Sequence, residues 1–228
     1  MHSVPAGPGR GLHQAVLALL AMNRRRAWRL HLDIAHYFPS IDHGILRGLL
    51  CRRIRDPRLC ALIDAILASG LGVYRSAEAC RLGLGPPRPD QPPQGLPLGS
   101  WFSQWAGAYY LDGLDQQVKR VLKVPDYLRY MDDFVLFGDD REALRAMRAE
   151  IEDWLWRERR LRLNPKLGRV EPTAHPTVWL GWRVSRSGLA PSRRMRRRLR
   201  QRLGVAADEG PEALQRSLDS YRGLLWIR

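Results

Sequence analysis

The stretch Tyr127-Leu128-Arg129-Tyr130-Met131-Asp132-Asp133-Phe134-Val135-Leu136-Phe137 sets two apolar, aromatic-rich segments around an acidic pair. Such segments on either side of a short polar break predict a strand, a tight turn and a second strand, with both carboxylates at the tip. A second acid lies in similar company: Trp28, Leu30, Leu32 and Ile34 alternate with Arg29, His31 and Asp33, the period of a half-buried strand with Asp33 near its end. Adjacent aspartates are ordinary turn formers. An ionised carboxylate among residues that seek burial is costly unless it meets a cation, and two or three converging carboxylates also repel one another. A hard divalent ion such as Mg²⁺, held by one or two carboxylates and completed by phosphate oxygens and water, resolves both problems.

Around these acids the pattern alternates between helix and strand. Gly11 to Met22 reads as a helix. Ser40 or Asp42 is placed to cap a helix through Ile45, Leu46, Leu49 and Leu50, and a further run from Leu59 to Leu67 stops at Gly70, which makes a helical hairpin. Residues 81 to 99 hold six prolines and read as an irregular connection. Trp101 to Val118 is again helical, and Asp139 with Glu142 forms a capping-box pattern before the amphipathic run Leu144, Met147, Ile151, Trp154 and Leu155. Val178, Leu180, Trp182 and Val184 alternate as a last strand, followed by a helix with seven arginines between Arg193 and Arg202. The expected class is α+β, a small antiparallel sheet backed by helices.

The 228 residues carry a formal charge of +15, from 38 Lys and Arg against 23 Asp and Glu. With 45% apolar residues and eight Trp the chain can fill a core, so this charge is surface charge and points to a polyanion, nucleic acid before anionic membrane. Collagen, a disordered tail and a disulfide mini-protein are excluded. Cys51, Cys60 and Cys80 show no metal or disulfide spacing, which predicts a reducing, cytoplasmic setting. The longest apolar run, Ala15 to Met22, falls short of the roughly 18 residues a membrane span needs, so no membrane partner is expected.

The wording around the acids narrows the chemistry. Tyr130-Met131-Asp132-Asp133 resembles the Tyr-x-Asp-Asp turn of reverse transcriptases, Leu32 to Ile41 resembles their first catalytic strand, and Gly95-Leu96-Pro97-Leu98-Gly99 resembles the segment between, all in the family's order. The resemblance implies a right-hand polymerase: partial fingers and palm over residues 1–190 and a short, basic helical thumb over 191–228. It implies RNA-directed DNA synthesis with two Mg²⁺, for which Mn²⁺ can substitute, held by Asp33, Asp132 and the backbone carbonyl of Ile34, with Asp133 a less essential neighbour. Its partners would be an RNA template, a DNA primer and deoxynucleoside triphosphates. Phe38, five residues after Asp33, falls where the family has an aromatic gate under the sugar, and Lys166 where it has a basic residue near the phosphates. Leu180-Gly181-Trp182 is similar to the strand that grips the primer end, and Arg193, Arg194, Arg197 and Arg198 fall where a thumb helix follows the duplex phosphates.

Leu98-Gly99-Ser100-Trp101-Phe102-Ser103-Gln104 resembles the reverse transcriptases of diversity-generating retroelements, which implies error-prone copying and a basic accessory protein. Leu98, Gly99 and Gln104 would then border the incoming nucleotide, with Leu98 removing a polar constraint on its position. Pro8 to His13 resembles the end of the family's second motif, so by this likeness the chain lacks most of the fingers and is N-terminally truncated. Two alternatives stay open: a catalytically impaired nucleic-acid-binding remnant, and a related reverse transcriptase of antiphage defence.

Overall fold

The computed structural model describes residues 11–71, 73–81, 92–97 and 99–225. Helix α1 (Leu12–Arg25) leads into β1 (Trp28–Asp33), then α2 (Tyr37–Ser40), α3 (His43–Cys51), α4 (Pro57–Gly70) and α5 (Ala77–Arg81). After these come α6 (Trp101–Tyr110), α7 (Asp112–Gln116), the hairpin β2 (Asp126–Tyr130) and β3 (Asp133–Gly138), and α8 (Arg141–Arg159). The chain continues with β4 (Val170–Pro172), β5 (Thr177–Trp179), β6 (Trp182–Ser185), β7 (Gly188–Pro191), α9 (Arg193–Glu209) and α10 (Pro211–Leu225). The class is α+β.

Four strands form an antiparallel sheet in the order β2-β3-β1-β4, with β1 paired on both sides. Because strand side chains alternate, the sheet feeds two cores. Leu30, Leu32, Ile34, Tyr127, Phe134 and Leu136 join α3, α4, α6, α7 and α8 in the main core. Leu128, Val135 and Phe137 face the other way and pack with α1 and with Trp179, Trp182 and Val184 of the second sheet, β5-β6-β7.

That second cover corrects the expectation of a half-solvated β1. Arg29 lies on the face predicted to be wet and is only 1% exposed. Its guanidinium donates to Asn23 Oδ1, His175 O and Glu171 Oε2, so the buried charge is paired. The single strand expected over residues 178–184 is instead a hairpin. Leu180 (φ 48°) and Gly181 (φ 85°) both take positive φ, the conformation of a two-residue type I′ turn, and Trp179 pairs with Trp182 across it. The turn shifts the parity of the two strands: Val178 pairs with Arg183 and is exposed, while Trp179, Trp182 and Val184 share the buried face, so the apolar alternation of residues 178–184 is not one face of one strand. The helix expected from Trp101 to Val118 breaks at Leu111, where the Tyr110 carbonyl accepts Arg159 Nε at 2.7 Å. The cap of α8 is Asp140, which accepts from Glu142 N and Ala143 N. Asp139 accepts instead from Arg26 Nη1 and Ala27 N, tying the entry of β1 to the end of β3. Among the described residues no helix is long and apolar enough to cross a membrane.

Beneath the β2–β3 turn lies a buried ionic knot. Arg129 donates through Nε and Nη2 to both oxygens of Asp115, and Tyr127 Oη donates to Asp115 Oδ1 at 2.8 Å. The remaining Arg129 nitrogen, Nη1, donates to the Met131 carbonyl at 2.9 Å and so holds the turn from below. Removing one partner of such a pair strands a charge in the interior. Asp115→Ala is expected to lower the unfolding free energy by about 3–5 kcal/mol in urea titration, and Asp115→Ala/Arg129→Met to recover part of that loss.

Candidate active site

The register of β1 against β3 sets Asp33 directly opposite Asp133. Both side chains therefore leave the same face of the sheet, at the end where the hairpin turns. The turn itself has two residues, Met131 and Asp132, between the paired Tyr130 and Asp133. Met131 stands at φ 58°, the left-handed region that a side chain adopts only under constraint, and Arg129 supplies that constraint by binding its carbonyl. The outcome is a third carboxylate, Asp132, beside the first two.

Each acid has a different environment. Asp133 Oδ1 accepts from Trp179 Nε1 and from His31 Nε2, both at 2.7 Å. A carboxylate only accepts, so His31 carries its proton on Nε2 in this contact. Asp33 Oδ2 accepts from Asn164 Nδ2 at 2.9 Å, while the Asn164 backbone N–H donates to Asp33 O at 2.8 Å. Burial raises the Asp33 carboxyl above the usual range, the Asn164 amide holds it down, and the Asp133 charge raises it again. Among the described residues no side-chain amide bonds Asp132: burial, then Asp33 and Asp133, push its carboxyl up to about 6, although its own backbone N–H opposes the shift.

The remaining expected residues fall into three places. Ile34 pairs with Leu163 beside Asp33. Phe38 is half-buried, its ring edge-on to Tyr37 at 5.4 Å and against Gly107 of α6. Gly99 (φ 94°) and Gln104 are exposed at the start of α6, and Leu98 lies outside the described residues. Lys166 is exposed; its backbone N–H donates to Asn164 Oδ1 at 3.1 Å and thereby orients the amide that binds Asp33.

Leu180 and Gly181 wall a groove of about 1260 Å³ together with His13 at the start of α1 and Arg194 and Arg198 of α9. Arg193 lines a second recess, which shares Gly181, Ser192 and Arg194 with the groove. Arg193, Arg194, Arg197 and Arg198 are all exposed and, among the described residues, form no ion pair. Trp182 does not line this groove; it is buried in the second core, and its indole N–H has no partner among the described residues.

The residues that sequence reasoning missed are His31, Asn164 and Trp179. His31 stands two residues before Asp33 on the same face of β1 and Asn164 stands two residues before Lys166, so both carried a local signal; Trp179 reaches Asp133 only through the pairing of distant segments.

Among the described residues no group of three or more His, Cys, Asp or Glu side chains is gathered tightly enough to cage a metal ion unaided. Asp33 and Asp132 nevertheless fit Mg²⁺, which commonly takes one or two carboxylates and leaves its other positions to phosphate and water. Both carboxyls are raised in the folded chain, so the ionised forms are disfavoured as they stand.

A raised carboxyl binds its proton more tightly in the folded chain. The stability cost of Asp132 is thus absent below its ordinary range, grows as pH rises from about 4 to about 6, and is complete above that. In chelator-treated protein, Asp132→Asn is expected to raise the unfolding free energy at pH 7.5 by on the order of 2 kcal/mol and to have little effect at pH 4. Urea titrations at the two pH values check it.

No known family profile matches the chain. Protein YkfC of Escherichia coli (strain K12) is 25% identical over 219 residues, covering 78% of this chain and 54% of YkfC. The protein named as an uncharacterized 91 kDa protein in cob intron, from Schizosaccharomyces pombe (strain 972), is 28% identical over 120 residues, covering 53% of this chain and 13% of its own length. The chain is similar to YkfC across most of its residues and spans about half of YkfC's length.

Proposed function

We propose that this chain is the palm-centred part of an RNA-directed DNA polymerase that extends a DNA primer on an RNA template. One observation carries the reading: Asp33 and Asp133 face each other across β1 and β3, with Asp132 in the turn, and the charges of Asp33 and Asp132 are both disfavoured as they stand. Asp33 and Asp132 are the residues that would hold Mg²⁺. When bound, the metal supplies charge neutralisation on the phosphates and a more acidic attacking hydroxyl.

The chain's own residues position. Asn164 fixes the rotamer of Asp33, and the Arg129 contact holds the strained turn that presents Asp132. Asp133, with one oxygen taken by His31 and Trp179, works as a brace between the two sheets. The groove beside Leu180, Gly181, Arg194 and Arg198 takes the primer–template backbone, and Phe38 meets the sugar of the incoming nucleotide. The finer assignment, error-prone copying of a retroelement template with a basic accessory protein, is carried by the segment from Leu98 to Gln104.

The test is extension of a DNA primer on an RNA template with Mg²⁺ and deoxynucleoside triphosphates. Asp33→Asn and Asp132→Asn are expected to lower the rate by at least about 100-fold, a loss of several kcal/mol of transition-state stabilisation. Trp179→Phe, which removes the indole N–H that holds Asp133 together with part of the buried ring, is expected to cost about 10–100-fold. Equal silence of wild type and Asp132→Asn, with duplex binding intact in both, refutes polymerase activity for this chain and leaves the nucleic-acid-binding remnant.

A further inference from the structure

On the other face of the four-stranded sheet, α3, the α6–α7 junction and the end of α8 enclose a pocket of about 360 Å³. Arg159 stands in its wall and is only 8% exposed. Its Nε and Nη1 donate to the carbonyls of Tyr110 and Glu158, and its guanidinium lies over the rings of Trp154 at 4.8 Å and Tyr110 at 5.7 Å. Among the described residues it forms no ion pair with a carboxylate. Gly113 makes room for it, since a Cβ there would collide with Nη2. Two more cations, Arg52 and Arg53, line the same pocket; burial lowers the pKa of Arg159, Tyr110 and Glu158 oppose that shift, and Arg52 adds to it. Asp112 is the pocket's acidic residue. Three guanidiniums around one carboxylate leave a positive recess that an anion would complete.

Aromatic rings run out from this recess. Tyr109 forms part of the pocket wall and stacks on Trp105 with an interplanar angle of 0° and ring centroids 5.7 Å apart. Trp101, Trp105 and Tyr109 stand four residues apart along α6, so they share one side of the helix. Trp101 is 79% exposed and Trp105 44% exposed, which is costly for indoles unless something flat covers them. A row of aromatic side chains ending in an arginine-lined recess matches the chemistry of an unpaired strand, in which base faces are free to stack and a phosphate follows each sugar. A duplex keeps its base faces inside the stack and offers them to no such row.

We infer that the Arg52–Arg53–Arg159 pocket takes a backbone phosphate of an unpaired polynucleotide strand whose bases stack along Trp101, Trp105 and Tyr109. The inference does not rest on the polymerase reading, because a chain without catalytic activity would bind the strand in the same way.

The test uses the full chain, a fluorescein-labelled oligo(rU) of about ten nucleotides and, in parallel, an RNA–DNA duplex and inorganic phosphate. Trp101→Ala/Trp105→Ala is expected to weaken oligo(rU) binding by about tenfold or more while leaving duplex binding unchanged, which also reports that the variant is folded. Arg52→Ser/Arg53→Ser is expected to weaken oligo(rU) and phosphate alike and to reduce the slope of log affinity against log salt by about 0.7, the single-strand value for one phosphate, between roughly 50 and 200 mM. Arg197→Ser/Arg198→Ser on α9 is expected to weaken duplex binding most. Unchanged oligo(rU) affinity in either of the first two variants overturns the inference. So does an equal loss of duplex binding, or binding of inorganic phosphate without oligo(rU). Primer extension is not the readout, so a silent polymerase leaves this test standing.

Discussion

Two aspartates placed opposite each other in an antiparallel pair are an arrangement that a sheet ordinarily avoids, because like charges across the strands repel. Here the β1–β3 register imposes it at Asp33 and Asp133, and the surrounding structure bears the consequence. Asn164 bonds Asp33, His31 and Trp179 bond Asp133, and Arg129 binds the backbone of the turn that adds Asp132. Those donors come from four separate segments of the chain. The sheet, its second cover and the segment after α8 can all be understood as means of holding three acids closer than they would otherwise remain.

The ionic knot of Arg129 and Asp115 has a related logic. A buried pair of this kind contributes little net stability, since desolvation offsets most of the attraction. What it does provide is geometry: its third donor reaches the Met131 carbonyl and keeps a bulky residue at positive φ. Strain at that position and raised carboxyls beside it concentrate unfavourable terms of the fold at one spot.

Much of this was legible in the residues themselves. The period of two around Asp33 and the hairpin around Asp132 are local signals, and all three strands form over the segments they mark. The burial of Arg29 was not legible, because alternation states which residues share a face and says nothing about what covers it. The Leu180 turn was hidden for a similar reason: leucine is an uncommon left-handed residue, and only the register of Trp179 against Trp182 reveals it. Trp179 as a donor to Asp133 depends on a contact spanning 46 residues, beyond the reach of any local pattern. The cap of α8 lay one residue from its expected place because Arg26, from a different element, claimed Asp139.

Trp179 and Leu180 share a peptide bond. One donates to an acid at the end of the large sheet; the other lines the basic groove. The turn they belong to therefore joins the two regions in the shortest way a chain allows: the wall of the groove and a hydrogen bond to Asp133 are one peptide bond apart.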